Sequence, residues 1–169
     1  NSIILLSPQG KTFTQATAER LSNLDAITLI CGRYEGVDER VAMHLADEEI
    51  SIGDYVLSGG ESAAVVIAES VARLLPGVLG HGTEAIKDDS HTSGLIQHPQ
   101  YTRPFEYKGW TVPEILRSGN HEAIAQWRRS ESLKRTLIRR PDLLEEANLS
   151  ESDISVLLNQ GWKKKNEEF

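Results

Sequence analysis

Ser51-Ile-Gly-Asp-Tyr-Val-Leu-Ser-Gly-Gly-Glu61 decides how the chain is read. It opens as the end of a strand (Ile50, Ile52), breaks at Gly53, carries an apolar trio (Tyr55, Val56, Leu57) and breaks again at Gly59-Gly60. An apolar helical pattern follows at once, from Glu61 to about Leu75, with Ser58 or a glycine as its cap and Glu61 in its first turn. Three glycines in eight residues put bare backbone where a ligand can approach, because no Cβ stands in the way. A phosphate loop fits poorly. No Lys-Ser/Thr follows the glycines, the spacing is not G-x-G-x-x-G, and Asp54 and Glu61 would repel a polyphosphate. The loop suits a neutral or cationic ligand.

Upstream, Ile3–Leu6 reads as a buried strand ending in the turn Ser7-Pro8-Gln9-Gly10, and Phe13–Leu21 as a short helix capped by Thr12 or Thr14. Ala26–Cys31 is a second strand, broken by Gly32-Arg33-Tyr34-Glu35-Gly36, and Asp38 opens a helix to about Leu45. Glu48–Ile52 is the third strand. Strands alternating with helices predict a parallel α/β sheet covered on both faces, with ligands beyond the carboxyl ends of the strands. The loops 7–10, 32–36 and 53–60 all follow strand ends, so they are expected to converge on one site.

Downstream, Pro76-Gly-Val-Leu-Gly80 ends the long helix, and residues 81–99, poor in apolar residues and without a period, read as an interdomain linker. Residues 100–169 are expected to form a small all-helical domain. Phe105–Trp110 reads as irregular and Pro113–Arg117 as a short helix. One helix runs from Asn120 to about Arg129, another from Ser130 or Ser132 to Arg139, and two more start at Pro141-Asp142 and Ser150.

The 169 residues carry a net charge of −7. Residues 1–100 hold six basic and fourteen acidic side chains, whereas residues 101–140 hold nine basic and four acidic. A basic block inside an acidic chain points to a polyanion contact confined to one region, and its preference for Arg over Lys favours nucleic acid over a merely solvated helix face. No apolar run is long enough to span a bilayer, and the single cysteine, Cys31, excludes an internal disulfide and fits a reducing cytoplasm. His44, His81, His91, His98 and His121 show neither H-x-x-x-H nor H-E-x-x-H spacing, so no metal site is expected. Ser58 lies in neither a G-x-S-x-G elbow nor a Ser-x-x-Lys motif, which leaves acyl transfer without support. The carboxylates Asp88-Asp89 read either as solvated linker charges or as groups facing a substrate held between the two parts of the chain. Arg73 either snorkels to solvent or points at the same cleft.

Six ordered motifs make the pattern specific: SPQG (7–10), CGRYEGVDER (31–40), SIGDYVLSGGE (51–61), PGVLG (76–80), HPQYTRP (98–104) and WRRSESLKRTLIRRPDLL (127–144). Together they resemble the bacterial tRNA (guanine-N(1)-)-methyltransferases of the TrmD type, over nearly the whole chain to about Asn159. The resemblance implies a SPOUT fold: an α/β domain (1–80) with a C-terminal trefoil knot built from loops 32–36, 51–60 and 76–80, joined by the linker to a helical tRNA-binding domain. It implies S-adenosylmethionine as cofactor, contacted by Leu5, Leu6, Ser7 and Pro8, by Gly32, Tyr34, Glu35 and Gly36, and by Ser51, Ile52, Gly53, Asp54, Tyr55, Val56, Leu57, Gly59 and Gly60. Leu5, Leu6 and Val56 serve equally well as plain core.

The implied reaction is methylation of N(1) of the guanosine 3′ of the anticodon in tRNA, with Asp89 as general base and Arg73 steadying charge on guanine. Arg103, Arg128, Arg129, Lys134, Arg135, Arg139 and Arg140 are implied to grip the anticodon stem-loop. Members of this family are homodimers whose sites are shared between subunits. Two positions depart from the usual pattern: Ser62-Ala63-Ala64 stand where Leu-Pro-Ala is common, and His91 where Phe is usual. A chain opening in mid-strand without methionine is expected to lack the N-terminal third of such an enzyme. The alternative expectation is therefore a catalytically incomplete fragment that binds cofactor or RNA without turnover. An unrelated nucleotide-binding α/β protein is disfavoured by the missing phosphate-loop lysine.

Overall fold

The computed structural model describes residues 1–80 and 89–163. The chain forms two compact units, Asn1–Ile86 and Lys87–Phe169. Among the described residues no helix is long and apolar enough to cross a membrane.

The first unit is built on three parallel strands in the order β2-β1-β3. β1 (Ser2–Thr12) lies at the centre, between β2 (Ile27–Cys31) and β3 (Glu48–Ser51). It pairs with β2 from Ser2↔Ile27 to Leu6↔Cys31. Its pairing with β3 runs from Ile4↔Glu48 to Leu6↔Ile50, skips Ser7–Gly10, and resumes at Lys11↔Ile50 and Thr12↔Ser51. The expected strand-ending turn at 7–10 is thus a bulge inside a longer strand. Pro8 has no N–H to give to a ladder, so the chain swings out there. Gly10 brings it back: a Cβ at Gly10 would stand 2.5 Å from the carbonyl carbon of Glu49 and 2.5 Å from the amide nitrogen of Ile50.

Three helices accompany the sheet. Thr14 caps α1 (Gln15–Ser22) by accepting from Thr17 N, and Asp38 caps α2 (Glu39–His44) by accepting from Arg40 N. Gly60, not Ser58, is the N-cap of α3 (Glu61–Ala72) and makes no side-chain cap bond. Ala63, Ile67 and Val71 recur at four-residue spacing and face Ile4, Leu6, Ala18, Leu21 and Ile50 in one apolar core. α1 and α3 thus cover the Ile4–Leu6 side of the sheet. α2 buries none of its residues, so it does not supply the second covering layer expected from the strand-helix alternation.

The second unit is organised on α4 (His121–Arg139), capped by Asn120, which accepts from Ala123 N. This is one helix where two were expected. Ser130 and Ser132 suggested a new cap, but Ser132 Oγ donates to Ile96 O from the helix interior. α5 (Leu143–Glu146) and α6 (Glu151–Leu158) follow, and Leu133, Leu144 and Leu157 form the core with Leu95. Leu95 is fully buried, so the latter part of the stretch expected as a linker belongs to this core. A lone buried leucine among Ser, Thr and Gly has no periodicity to reveal it. The unit is also not all-helical. Glu106–Tyr107 (β4) and Trp110–Thr111 (β5) pair as an antiparallel hairpin. Lys108 and Gly109 turn it with φ of 53° and 83°, both in the left-handed region a tight two-residue hairpin needs.

One ion pair ties the unit together. Arg129 Nε and Nη2 donate to Asp153 Oδ1 and Oδ2 at 3.0 and 2.8 Å. Asp153 also accepts from Ser150 N at 3.0 Å, while its own N–H donates to Ser150 Oγ, which completes a capping box for α6. The Arg129 guanidinium, and then Ser150, hold the Asp153 carboxyl down to about 2 although burial pulls the other way. Its folded value lies below the ordinary one, so the stabilisation is complete above about pH 4 and is lost as pH falls towards 2. Asp153→Asn is expected to cost on the order of 2 kcal/mol at pH 7, with the gap to wild type closing below about pH 4. Trp110, Trp127 and Trp162 all lie in this unit, so urea unfolding followed by tryptophan emission across pH reads it directly. A gap that stays constant to pH 2.5 would refute the pair as its cause.

Candidate functional site

The loops that leave the three strands of the first unit enclose a cavity of about 500 Å³. Leu5 and Leu6 floor it, with the bulge residues Ser7, Pro8 and Gln9 beside them. The segment 32–37 forms one wall and 50–60 the other, with Ala63 behind. Every residue expected to contact a cofactor lines this cavity except Asp54.

One antiparallel backbone bridge, Arg33 opposite Gly59, holds the walls together, and within it Gly60 N donates to Gly32 O at 2.9 Å. A Cβ on Gly60 would lie 2.8 Å from Cys31 Cα, so the third loop crosses the second at a distance only glycine allows. Above the crossing, Arg33 Nε donates to Glu61 Oε1 at 2.6 Å. Glu61's own backbone N–H, and then Arg33, lower the Glu61 carboxyl from its ordinary value. Burial, followed by the Glu61 charge, pushes the Cys31 thiol up, which suits an inert thiol better than a nucleophile.

The loop 51–57 is braced by its own groups. Ser51 is 4% exposed; Gly53 N donates to its Oγ at 3.1 Å, and Ser51 Oγ donates to Gly53 O at the same distance. Tyr55 N donates to Gly53 O at 2.9 Å and Tyr55 OH to Ile52 O at 3.2 Å. Gly53 has φ 147°, and a Cβ there would run into the Tyr55 ring at 2.5 Å. Tyr34, at φ 59°, is 96% exposed at the turn of the second loop.

Sequence reasoning missed Gln9, Arg33, Val37, Glu39, Ala42, Ile50, Ser58 and Ala63, which also line the cavity. Gln9, Arg33, Val37, Glu39 and Ser58 sit inside the quoted motifs and were there to be found. Ala42 carries no local signal; it reaches the cavity because α2 starts against it. The wall therefore holds two carboxylates, Glu35 and Glu39, beside the single cation Arg33, itself paired with Glu61. Such a lining favours a ligand with positive charge and disfavours one rich in phosphate.

The other expected site residues lie elsewhere. Arg73 is the exposed C-cap of α3 and is not part of the cavity wall. Asp89 belongs to the second unit, on a turn fastened to α4, whereas Asp88 and His81 fall outside the described residues. The fastening is polar. Gln97 N donates to Ser90 Oγ at 2.9 Å, Ile96 N to Thr136 Oγ1 at 2.9 Å, and His91 N to Leu95 O at 2.8 Å. Three of the seven basic residues expected on the RNA are paired within the unit: Arg129 with Asp153, Lys134 with Glu131 and Arg140 with Asp142. Their charge is partly neutralised, and Arg129 in particular serves the fold. Arg103, Arg128 and Arg139 are exposed, and Arg135 Nη1 donates to Gln97 O at 3.5 Å. No group of three His, Cys, Asp or Glu side chains among the described residues is placed to hold a metal ion.

A parallel sheet with a glycine-crossed cavity beyond its carboxyl edge defines an α/β protein with a cavity of small-molecule size among its strand-end loops. The family model of tRNA (Guanine-1)-methyltransferase TrmD matches residues 1–146, and the chain belongs to that family. It is 58% identical over 155 residues to the tRNA (guanine-N(1)-)-methyltransferase of Dehalococcoides mccartyi (strain ATCC BAA-2266 / KCTC 15142 / 195), covering 92% of this chain and 62% of that protein. It is 54% identical over 165 residues to the enzyme of the same name from Geobacillus kaustophilus, covering 98% and 66% respectively. For the one from Halalkalibacterium halodurans the identity is 55% over 155 residues, covering 92% and 63%. The chain thus spans somewhat under two thirds of the length of the curated relatives it matches.

The crossing at Gly60 yields a direct test. Gly60→Ala and Gly10→Ala each force a methyl group into backbone and are expected to destabilise the first unit by about 2–3 kcal/mol. Gly80 meets nothing within 4 Å, so Gly80→Ala should change little. Hydrogen exchange of the β1 amides measures all three. Equal protection in the three variants would show that the close approach carries no weight.

Proposed function

We propose that the full-length protein transfers a methyl group from S-adenosylmethionine to N(1) of the guanosine 3′ of the anticodon in tRNA, the first unit holding the donor and the second the RNA. The carrying observation is the single cavity lined by all the expected donor-contacting residues but Asp54, with carboxylates in its wall. About 500 Å³ is the size of a small-molecule site. The backbone of Gly32, Gly36, Gly53, Gly59 and Gly60 lets a ligand come close, and Glu35 and Glu39 suit a sulfonium and an ammonium group. When bound, the donor supplies an electrophilic methyl group on positively charged sulfur.

The chain's own residues supply the rest. Guanine N(1) carries a proton and is a poor nucleophile until it leaves, so a positioned base is needed. Asp89 takes that role, its turn kept in place by Ser90, Ser132 and Thr136. Arg73 stabilises the negative charge that develops on guanine as the proton departs. Arg103, Arg128, Arg135 and Arg139 contact the phosphates of the anticodon stem-loop, with Lys134 and Arg140 adding to them. Val65 and Val66 are 64% and 44% exposed on α3, and Met43 and Leu45 are exposed by α2. These apolar side chains suit burial against a second copy in a homodimer that shares its sites. The crossing of loops at Gly59-Gly60 over Gly32-Arg33 fits a trefoil knot. A tRNA substrate places the protein in the cytoplasm.

Methyl transfer from labelled S-adenosylmethionine to unmodified tRNA tests this for the full-length protein and for the 169-residue chain. Asp89→Ala is expected to lower turnover at least ~100-fold while leaving S-adenosylhomocysteine affinity unchanged. Retained turnover would remove Asp89 from the role. A chain that binds S-adenosylhomocysteine yet transfers nothing, beside an active full-length protein, would identify these 169 residues as a binding part of the enzyme.

A further inference from the structure

The second unit contains a cavity of its own, about 330 Å³, between the segment 98–105, Leu116-Arg117 and the first half of α4. Tyr101, Phe105, Arg103, Arg117 and Arg128 line it, and no carboxylate does. An adjoining cavity of about 360 Å³ shares His98, Ile124 and Arg128 with it and is likewise free of carboxylates in its wall. In a chain of net charge −7 this is a marked local inversion. The rings are exposed yet held. Phe105 is 52% exposed with the Arg117 guanidinium carbon 4.4 Å from its centroid, and Tyr101 is 46% exposed and leans on Trp127 at 6.4 Å.

Aromatic faces ringed by guanidinium groups match a ligand with a planar ring and an anionic group. Proteins bind unpaired nucleotides in this manner, stacking the base and pairing the phosphate with Arg. A base inside a duplex is stacked on both sides and offers no free face, so the occupant is a nucleotide outside a duplex. We propose that this cavity receives one unstacked nucleotide of the RNA, other than the guanosine to be methylated, with its base on Tyr101 or Phe105 and its phosphate on Arg103 and Arg128. Arg117 holds Phe105 in position. This rests on the RNA-binding role assigned to the second unit above. It differs from the grip of the basic helix on the stem because it discriminates loop from duplex.

Fluorescence anisotropy with the whole chain, an unmodified anticodon stem-loop transcript and a fully paired RNA of equal length tests the assignment. Tyr101→Ala and Phe105→Ala are expected to weaken the stem-loop roughly 5- to 100-fold and the duplex less than about 2-fold, whereas Tyr101→Phe retains affinity. Arg139→Ala should weaken both RNAs alike. Urea midpoints by tryptophan emission exclude unfolding, and Arg103→Gln supplies a second variant on an exposed side chain, expected to spare the fold. With 2-aminopurine placed at each loop position in turn, one position other than the reacting guanosine should be quenched by the wild-type chain and not by Tyr101→Ala. Unchanged stem-loop affinity in Tyr101→Ala, Phe105→Ala and Arg103→Gln would overturn this site and leave the methyltransferase proposal standing. So would equal losses on both RNAs, or tighter binding of guanosine or cytidine monophosphate than of the stem-loop. A wild-type chain that binds neither RNA would instead overturn the RNA-binding role of the unit, and this site with it.

Discussion

Everything in the first unit turns on two backbones touching where Gly60 lies over Cys31. No side chain fits between them, since a Cβ would come within 2.8 Å of Cys31 Cα. The contact brings the third loop down on the second and is locked by the Gly60–Gly32 hydrogen bond. Gly60 is also the N-cap of α3, so the same residue aims the helix that carries Ala63, Ile67 and Val71 into the core. Cavity and core are therefore coupled through one residue. Displacement at the crossing would move a ligand wall on one side and a packed helix on the other, in an interior too dense to absorb it silently.

Charge is segregated with the same consistency. The cavity of the first unit has Glu35 and Glu39 in its wall and one cation already paired. The cavity of the second has three arginines and no carboxylate. By charge alone the carboxylate-lined cavity disfavours a phosphate-rich ligand and the arginine-lined one disfavours a cation. Discrimination of this kind follows from sign alone and needs no close shape match.

α4 is the spine of the second unit, and its polar interior positions do the ordering. Ser132 and Thr136 receive the segment 95–97, Arg129 receives α6 through Asp153, and Leu133 lies fully buried between them. The turn with Asp89 is thereby carried by a helix, not by a free connector. Such a mounting lowers the entropy cost of holding any side chain on that turn in one place, because the helix has already fixed the groups it bonds to.

The strands at 3–6, 26–31 and 48–52, the helix after Gly60, the basic block at 101–140 and the six ordered motifs were all legible in the residues. Propensity, hydrophobic period and glycine placement act over a few neighbours, and those neighbours are printed in order. Misread were the bulge at 7–10, the single helix over 121–139, the hairpin at 106–111 and the buried Leu95. Each depends on what a distant strand or helix offers. Ser132 looked like a cap until Ile96, 36 residues away, took its hydroxyl; Arg129 looked like an RNA contact until Asp153, 24 residues away, took its guanidinium. Ala42 entered the cavity wall only because α2 starts beside it. By itself the sequence determined the element order of the first unit, the family and the two signs of charge. Only the folded chain decided which polar groups are consumed by structure and which are left to face a ligand, because a hydrogen bond is allotted by proximity in space and a sequence orders residues only along the chain.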